Sequence, residues 1–242
     1  MNIWFYIAVI LIIIFSVFIL FFYPKDLKRA RKKGEEDFLT FLLANGFKQR
    51  VEDFKVFNRF VKPNGTVFVG DSITQEFHLS EYFPNERTYN RGIGGDTTVG
   101  LLTRLEESVF ALQPKQLVLQ IGTNDFTVLH LEAEATIENL KKVIERIHQQ
   151  MPALPILLVS VYPLHEPTLN LGRQDPHTFR KNSRIQKINE GIKNIPNVQF
   201  VNLYDALVDN QGQLNMTLSR DGLHLNALGY QVVAKTIQPL LK

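Results

Sequence analysis

The sequence contains no cysteine. This absence excludes disulfide bonds, zinc–thiolate sites and cysteine nucleophiles. The histidines also lack the spacing of metal-binding motifs such as H-E-x-x-H. We therefore expect no metal site.

The chain has no broad excess of charge of either sign. Its formal net charge is +3, but six basic residues stand against one acid between Pro24 and Lys33, so the rest of the chain is slightly acidic. A basic face that binds nucleic acid is therefore not expected. With 242 residues, of which 45% are hydrophobic, the chain is long enough for one sizeable core.

Charge is entirely absent from Ile3–Tyr23, a run of 21 residues. A helix of this length reaches roughly 31 Å at about 1.5 Å per residue, which is enough to cross a bilayer core. No Lys or Arg precedes the run and no small-residue cleavage site follows it, which argues against a cleaved secretory signal. We therefore predict one transmembrane anchor over residues 1–24.

The basic residues after this run predict its orientation. By the positive-inside rule they place the amino terminus outside and the remainder in the cytoplasm. The prediction is a single-pass protein of the cell membrane with a cytoplasmic catalytic domain, and an extracytoplasmic domain is the alternative. The basic cluster is also expected to attract anionic headgroups.

A basic segment with amphipathic helices is predicted over residues 25–60. Its apolar residues recur at helical spacing, and Asn45-Gly46 divides them into two short helices. These helices are expected to pack on the main domain or, alternatively, to lie on the membrane surface. Pro63-Asn64-Gly65 is a turn near the start of that domain, which we assign to residues 61–242.

From residue 66 onward, strands and helices alternate, and the strands are continuously apolar. This pattern predicts an α/β fold with a buried parallel sheet of about five strands and helices on both faces. The strands are predicted at Thr66–Val69, near Thr88–Asn90, and at Leu117–Ile121, Ile156–Val161 and Val198–Leu203. The helices are predicted at Thr97–Leu112, Glu132–Gln150, Phe179–Asn194 and Ala227–Leu241.

The stretch from Tyr162 to Asn182 is irregular and rich in proline and charge, with Arg173, Asp175 and His177 among its residues. A loop of this length inside a compact domain is usually functional. Because it follows a strand, we expect it to form a wall of the substrate site.

The first predicted strand runs into Gly70-Asp71-Ser72. Ligands in open α/β sheets bind outside the carboxyl ends of the strands, so the Ser72 hydroxyl lies where chemistry is expected. A serine becomes a nucleophile only when a base removes its proton and an acceptor holds that base in one tautomer. Without such partners, the same tripeptide is an ordinary turn.

Both partners occur in Asp221-Gly222-Leu223-His224, on a loop before the last helix. Gly222 favours a turn that brings Asp221 against one imidazole nitrogen, which leaves the other nitrogen for Ser72. The alternative is that His224 is a surface histidine without a catalytic role.

Two further segments can donate hydrogen bonds to an oxyanion. The glycine-rich loop Gly92–Thr98 can present the backbone N–H of Gly95, and it matches neither common phosphate-binding pattern. Asn124, in Gly122-Thr123-Asn124-Asp125, can supply a side-chain amide. The alternative for the second segment is an ordinary turn.

In their order along residues 66–242, these segments resemble the four sequence blocks of the SGNH, or GDSL-type, hydrolase family. The stretch Asn90–Thr98 is especially similar to the branch with platelet-activating-factor acetylhydrolase catalytic subunits and lysophospholipase-like esterases. Ile73 stands where the family's name motif has Leu. Position 74 is Thr, so the G-x-S-x-G elbow of α/β-hydrolases is absent.

The resemblance implies a flavodoxin-like three-layer α/β/α sandwich and a catalytic set of Ser72, Asp221 and His224. Ser72 would be the nucleophile, His224 the general base and then acid, and Asp221 the residue that orients it. The oxyanion hole would consist of Ser72, Gly95 and Asn124. No cofactor is implied.

We therefore predict a membrane-anchored serine esterase that cleaves carboxylic esters, such as lysophospholipid or other acyl or acetyl esters, through an acyl-enzyme on Ser72. The alternatives are an acyltransferase or a carbohydrate O-acetylesterase that uses the same site, and a tethered binding or scaffold protein with an inactive hydrolase fold. The scaffold alternative expects loss of Ser72, Asn124, Asp221 or His224, and all four are present. The oligomeric state does not follow from the sequence.

Overall fold

The computed structural model describes residues 2–21, 23–171 and 181–242. The chain forms two compact units, Met1–Asn45 and Gly46–Lys242. The candidate site residues all belong to the second unit, which also contains the β-sheet.

The first unit is built from helix α1, Ile3–Phe21, and the first part of helix α2, Tyr23–Phe57. Across the described ranges, no helix is both long enough and apolar enough to cross a membrane. The prediction of a single-pass anchor over residues 1–24, and of the membrane orientation that depended on it, is therefore wrong. Helix α1 has 19 residues, or roughly 28 Å at about 1.5 Å per residue, against a hydrocarbon core of about 30 Å.

Helix α2 is continuous, so the predicted division at Asn45-Gly46 is also wrong. Glycine ends a helix when it adopts a left-handed conformation, and Gly46 is not among the glycines with positive φ. The Asn45 side chain donates instead to the carbonyl of Phe41, one turn earlier, at 3.0 Å. Further along the helix, Phe54 is fully buried, and the guanidinium groups of Arg50 and Arg91 each lie 4.9 Å from its ring centroid.

The described residues of the second unit contain a five-stranded parallel sheet in the order β2-β1-β3-β4-β5. The prediction of an α/β fold with about five parallel strands is confirmed. In this strand order β2 lies on one side of β1 and β3 on the other, and the crevice at such a switch point, at the carboxyl ends of the strands, is where doubly wound folds bind ligands. The strands are β1 Thr66–Gly70, β2 Thr88–Gly92, β3 Gln116–Gln120, β4 Ile156–Val159 and β5 Gln199–Val201.

Alternate residues of the strands enter two cores, one on each face of the sheet. In β1, Val67 and Val69 belong to one core and Phe68 to the other, as the two-residue period of a strand requires. Leu140 of helix α8, Ala133–Gln150, packs in the first core and Val233 of helix α12, Ala227–Ile237, in the second, so helices cover both faces.

Short helices follow several strands at their carboxyl ends. Long helices return the chain to the start of β4 and of β5, and a further long helix comes after the last strand. The short helices are α3 Ser72–Gln75, α4 Leu79–Tyr82, α5 Thr98–Thr103, α6 Leu105–Ser108, α7 Asp125–Val128, α9 Glu166–Leu169 and α11 Tyr204–Leu207. The long helices are α8 Ala133–Gln150, α10 Asn182–Ile192 and α12 Ala227–Ile237.

The predicted helix over Thr97–Leu112 is divided into α5, α6 and a 3-10 turn at Phe110–Leu112. The first break is at Arg104, whose backbone leaves the helical region with φ −121° and ψ 17°. Its side chain is turned inward and is 1% exposed. The Arg104 guanidinium donates hydrogen bonds to backbone carbonyls at the carboxyl ends of β1 and β2, near the candidate site.

Candidate active site

Ser72 is the first residue of α3 and directly follows the sharp turn after β1. The Asp71 side chain caps the helix by accepting from the N–H of Ile73 at 3.0 Å. Gly70 is required by space, because a Cβ there would lie 2.0 Å from the carbonyl oxygen of Gln120 on the neighbouring strand. The turn therefore holds the Ser72 hydroxyl at the carboxyl edge of the sheet, where the sequence predicts it.

The structure brings Ser72, His224 and Asp221 together. The Ser72 Oγ lies 3.0 Å from Nε2 of His224, although 152 positions separate the two residues. On the other side of the ring, Nδ1 lies 2.7 Å from Oδ2 of Asp221. When Nδ1 carries the proton and donates to Asp221, Nε2 is left as an acceptor for the serine hydroxyl.

The turn from Ser219 to His224 makes this arrangement locally. Oδ1 of Asp221 accepts from the backbone N–H groups of Leu223 at 2.9 Å and His224 at 2.7 Å. Gly222 has a φ of +86°, a conformation that glycine adopts without strain. The Ser219 hydroxyl closes the turn, since it accepts from the Gly222 N–H and donates to the His224 carbonyl.

Asp221 remains negatively charged next to the imidazole. Partial burial alone would raise the pKa of Asp221, but hydrogen bonds from the His224 ring and from the N–H groups of His224 and Leu223 outweigh it and lower the pKa. The carboxylate is thus suited to orient the ring and to stabilise its protonated form.

Gly95 lies in a four-residue turn, Ile93–Asp96, that faces Ser72. The Asp96 N–H donates to the Ile93 carbonyl at 3.1 Å, and Gly95 takes the third position with a φ of +75°. Its own N–H is not used in closing the turn, and the described residues offer it no acceptor. The turn lies against the nucleophile, because a Cβ added at Gly94 would be 4.0 Å from the Ser72 Cβ.

Asn124 follows β3 and is 7% exposed. Its Nδ2 donates to the backbone carbonyl of Asp96 at 3.0 Å, so one amide hydrogen fixes the side chain to the Gly95 turn and the other remains for a ligand. The next residue, Asp125, accepts from both the N–H and the hydroxyl of Thr98, which ties the two loops together.

Several polar residues support these loops and were not predicted from the sequence. Gln75 accepts from the Gly94 N–H at 2.8 Å, and Arg220 pairs with Glu76 at 2.7 Å while its Nε lies 3.7 Å from Oδ2 of Asp221. Arg104 was missed as well. The signal that could have identified Arg104 is its position as a polar residue on the apolar face of its predicted helix. The sequence alone does not reveal which partners such a residue has.

The predicted wall between Tyr162 and Asn182 is described only in part. His165 donates its N–H to the Gly222 carbonyl at 2.8 Å, so the described part packs against the loop of Asp221 and His224. Residues 172–180, with Arg173, Asp175 and His177, lie outside the described residues.

The structure has a cavity away from the candidate site, and its described residues form no metal-binding cluster. A cavity of about 700 Å³ lies between α8 and α10, lined by residues such as Lys141, His148 and Asn194 and by none of the predicted site residues. Within the described part of the chain, no three His, Asp or Glu side chains are grouped so that they could hold a metal ion.

Known proteins are similar to this chain over the region that carries the candidate site residues. The sequence model of the GDSL-like lipase/acylhydrolase family matches residues 68–232. Platelet-activating factor acetylhydrolase IB subunit alpha1 from Bos taurus is 29% identical over 182 residues, which cover 72% of this chain and 74% of that protein.

Solved structures agree with this match. One from Streptococcus pneumonia, provisionally described as a platelet activating factor, is 28% identical with a TM-score of 0.79, and the match covers 87% of this chain and 99% of that one. An acetylxylan esterase from Geobacillus stearothermophilus is 19% identical with a TM-score of 0.54 over 74% of this chain and 94% of its own. This last similarity concerns the fold alone.

Proposed function

The chain belongs to the GDSL-like lipase/acylhydrolase family and is an ester-bond hydrolase, and from that membership we propose that it cleaves carboxylic esters through an acyl-enzyme on Ser72. The observation that supports this proposal best is the continuous line of contacts from Ser72 through His224 to Asp221, at 3.0 Å and 2.7 Å. We assign the activity to a hydrolase domain over residues 61–242.

Acylation begins when Nε2 of His224 takes the proton of the Ser72 hydroxyl. The Oγ then attacks the ester carbonyl carbon, and the carbonyl oxygen becomes an oxyanion. Asp221 stabilises the imidazolium that results, because its carboxylate is charged and in contact with Nδ1. When the tetrahedral intermediate collapses, Nε2 returns the proton to the departing alcohol and Ser72 keeps the acyl group.

The oxyanion receives hydrogen bonds from three donors in this proposal. The N–H of Ser72 is available because the first N–H groups of a helix have no intrahelical partner. The N–H of Gly95 and the second amide hydrogen of Asn124 complete the set. Donors that are already in position stabilise the developing charge without reorganising during the reaction.

Deacylation repeats the same steps with water. His224 removes a proton from the water molecule, the resulting nucleophile attacks the acyl carbon, and the donors stabilise the second oxyanion. The acid leaves, Oγ regains its proton from Nε2, and the site returns to its starting state. No cofactor takes part in this cycle.

We propose an acetyl or other acyl ester of a lipid, such as a lysophospholipid, as the substrate. Support for an acetyl ester comes from the curated relative, which is named as a platelet-activating factor acetylhydrolase subunit. An acyltransferase would use the same residues, with an alcohol in place of water as the second acceptor. A carbohydrate O-acetylesterase has support from the fold alone.

The test uses the full chain with acetyl and longer-chain aryl esters, followed by lysophospholipid and acetylated xylan. We expect ester cleavage with release of free acid and, after rapid acid quenching, a mass increase of one acyl group on the peptide that carries Ser72. Absence of that adduct from an enzyme that still turns over the ester would contradict the acyl-enzyme. Transfer of the acyl group to an added alcohol, rather than free acid, would favour the acyltransferase.

A further inference from the structure

One buried arginine joins the three loops that carry the proposed oxyanion donors. Arg104 and Asp96 have side chains that are each 1% exposed, and they form an ion pair beneath the carboxyl edge of the sheet. Neither residue contacts the position of the nucleophile directly.

The guanidinium of Arg104 reaches the ends of two strands and the Gly95 turn. Its Nη2 donates to the Gly70 carbonyl at 2.9 Å, and its Nη1 donates to the Arg91 carbonyl at 2.8 Å. Gly70 is two residues before Ser72, so this contact fixes the end of the strand that holds the nucleophile. Nη1 also donates to the Ser108 hydroxyl at 2.7 Å.

The same guanidinium holds the Gly95 turn from below. Its Nε donates to Oδ2 of Asp96 at 2.8 Å, and Nη2 lies 2.7 Å from that oxygen. Asp96 directly follows Gly95, and its N–H closes the turn. The position of its carboxylate therefore constrains the peptide that presents the Gly95 N–H.

Asp96 transmits this constraint to the third donor. Its backbone carbonyl accepts from Nδ2 of Asn124 at 3.0 Å, so a shift of Asp96 moves Asn124 as well. One guanidinium thus aligns Ser72 through Gly70, Gly95 through Asp96, and Asn124 through the carbonyl of Asp96.

The buried ion pair of Arg104 and Asp96 is better suited to aligning the oxyanion donors than to stabilising the fold. A buried ion pair is often no more stabilising than apolar residues of the same volume, because both charges lose water. A planar guanidinium, however, directs several N–H groups at fixed angles, which a lysine ammonium does not. We propose that Arg104 is a positioning residue for the oxyanion hole; this inference rests on the function proposed above.

The test is the full-length Arg104→Lys variant, which keeps the positive charge and loses the planar set of N–H donors. We expect kcat for an acetyl aryl ester to fall on the order of 10- to 100-fold, as for a small displacement of catalytic groups, while KM changes by less than about twofold. The matched control is Arg146→Lys, an exposed arginine over the Phe110 ring, which should leave both constants unchanged.

A double-mutant cycle with Asn124→Ala separates alignment from a general structural role. If Arg104 acts through the oxyanion donors, the loss in the double variant should be on the order of tenfold smaller than the product of the single losses. Losses that multiply, or an Arg104→Lys variant with unchanged kcat, would overturn the inference while leaving the acyl-enzyme intact.

The isosteric Asp96→Asn variant provides a second route if Arg104→Lys fails to fold. It should also lower kcat without raising KM, since the amide oxygen holds the guanidinium more weakly than a carboxylate does. Failure of both variants to fold would reject the positioning role in favour of a folding requirement. If the unmodified chain is as inactive as Ser72→Ala, the proposed function itself is wrong, and that result is distinct from either outcome above.

Discussion

The Oγ of Ser72 and Nε2 of His224 lie 3.0 Å apart, and two further contacts hold helix α3 to the segment around α12. Tyr230 in α12 donates its hydroxyl to the Ile73 carbonyl at 2.7 Å, and Arg220 pairs with Glu76 at 2.7 Å. Two residues that follow the nucleophile are therefore joined to Arg220, which precedes His224 in the sequence, and to Tyr230, which follows it.

Ser72→Ala should lower kcat by on the order of 10⁴ or more, and His224→Ala should do nearly as much, because neither group activates the reaction without the other. The double variant should be scarcely worse than either single variant. Steady-state kinetics on the full chain with a short-chain aryl ester measure this. Substantial activity in either single variant would remove that residue from the proposed catalytic set.

Asn124→Ala should lower kcat on the order of 10²–10³, since it deletes one proposed oxyanion donor. KM should change little, because the lost hydrogen bond strengthens mainly in the transition state. Asn202→Ala is the matched control: Asn202 is exposed and bonds to Asp205, so its loss should not affect kcat. Equal kinetics for the two variants would contradict the role of Asn124.

The elements that local pattern determines were predictable from the sequence. Apolar runs located β1, β3, β4 and β5, and Gly70-Asp71-Ser72 placed the hydroxyl at the end of β1, because a strand and its turn are encoded by adjacent residues. The three-residue offset of Asp221 and His224 likewise produces their contact within one turn. The catalytic roles of these residues remain predictions.

The features that depend on distant partners were not predictable. Arg104 interrupts a segment with helical periodicity because its partners lie on β1, β2 and the Gly95 turn. The pairing of Arg220 with Glu76 spans 144 positions, and no local signal selects that acid over others. Helix α2 passes through Asn45-Gly46 because a glycine in helical conformation costs only about 1 kcal/mol.

Asp221→Asn should lower kcat by on the order of 10²–10⁴, because the amide no longer stabilises the imidazolium and can hold the ring in the wrong tautomer. Asp205→Asn, an exposed aspartate in α11, is the control and should retain full activity.

We also expect the effect of Asp221→Asn on the stability of the fold to depend on pH. Because the pKa of Asp221 is lowered in the folded state, its stabilising contribution is present above the unfolded-state value of about 4 and is lost as pH falls through the folded-state value. Thermal unfolding should show a Tm difference between the unmodified chain and Asp221→Asn near neutral pH that shrinks below about pH 4. A difference that grows on acidification would show that folding does not lower the pKa of Asp221.

Gly70→Ala should destabilise the fold and abolish activity together. The new Cβ would lie 2.0 Å from the Gln120 carbonyl oxygen and 2.3 Å from the Thr74 hydroxyl, so either β1 separates from β3 or the turn before Ser72 moves. We expect a loss of about 2 kcal/mol or more, or a Tm lower by roughly 4–8 °C. Gly46→Ala is the matched control, because a Cβ there meets open space within α2 and should raise stability by about 0.5–1 kcal/mol. Normal activity with an unchanged Tm in Gly70→Ala would show that the strand end tolerates displacement, and the close approach of β1 and β3 would then not be what positions the serine.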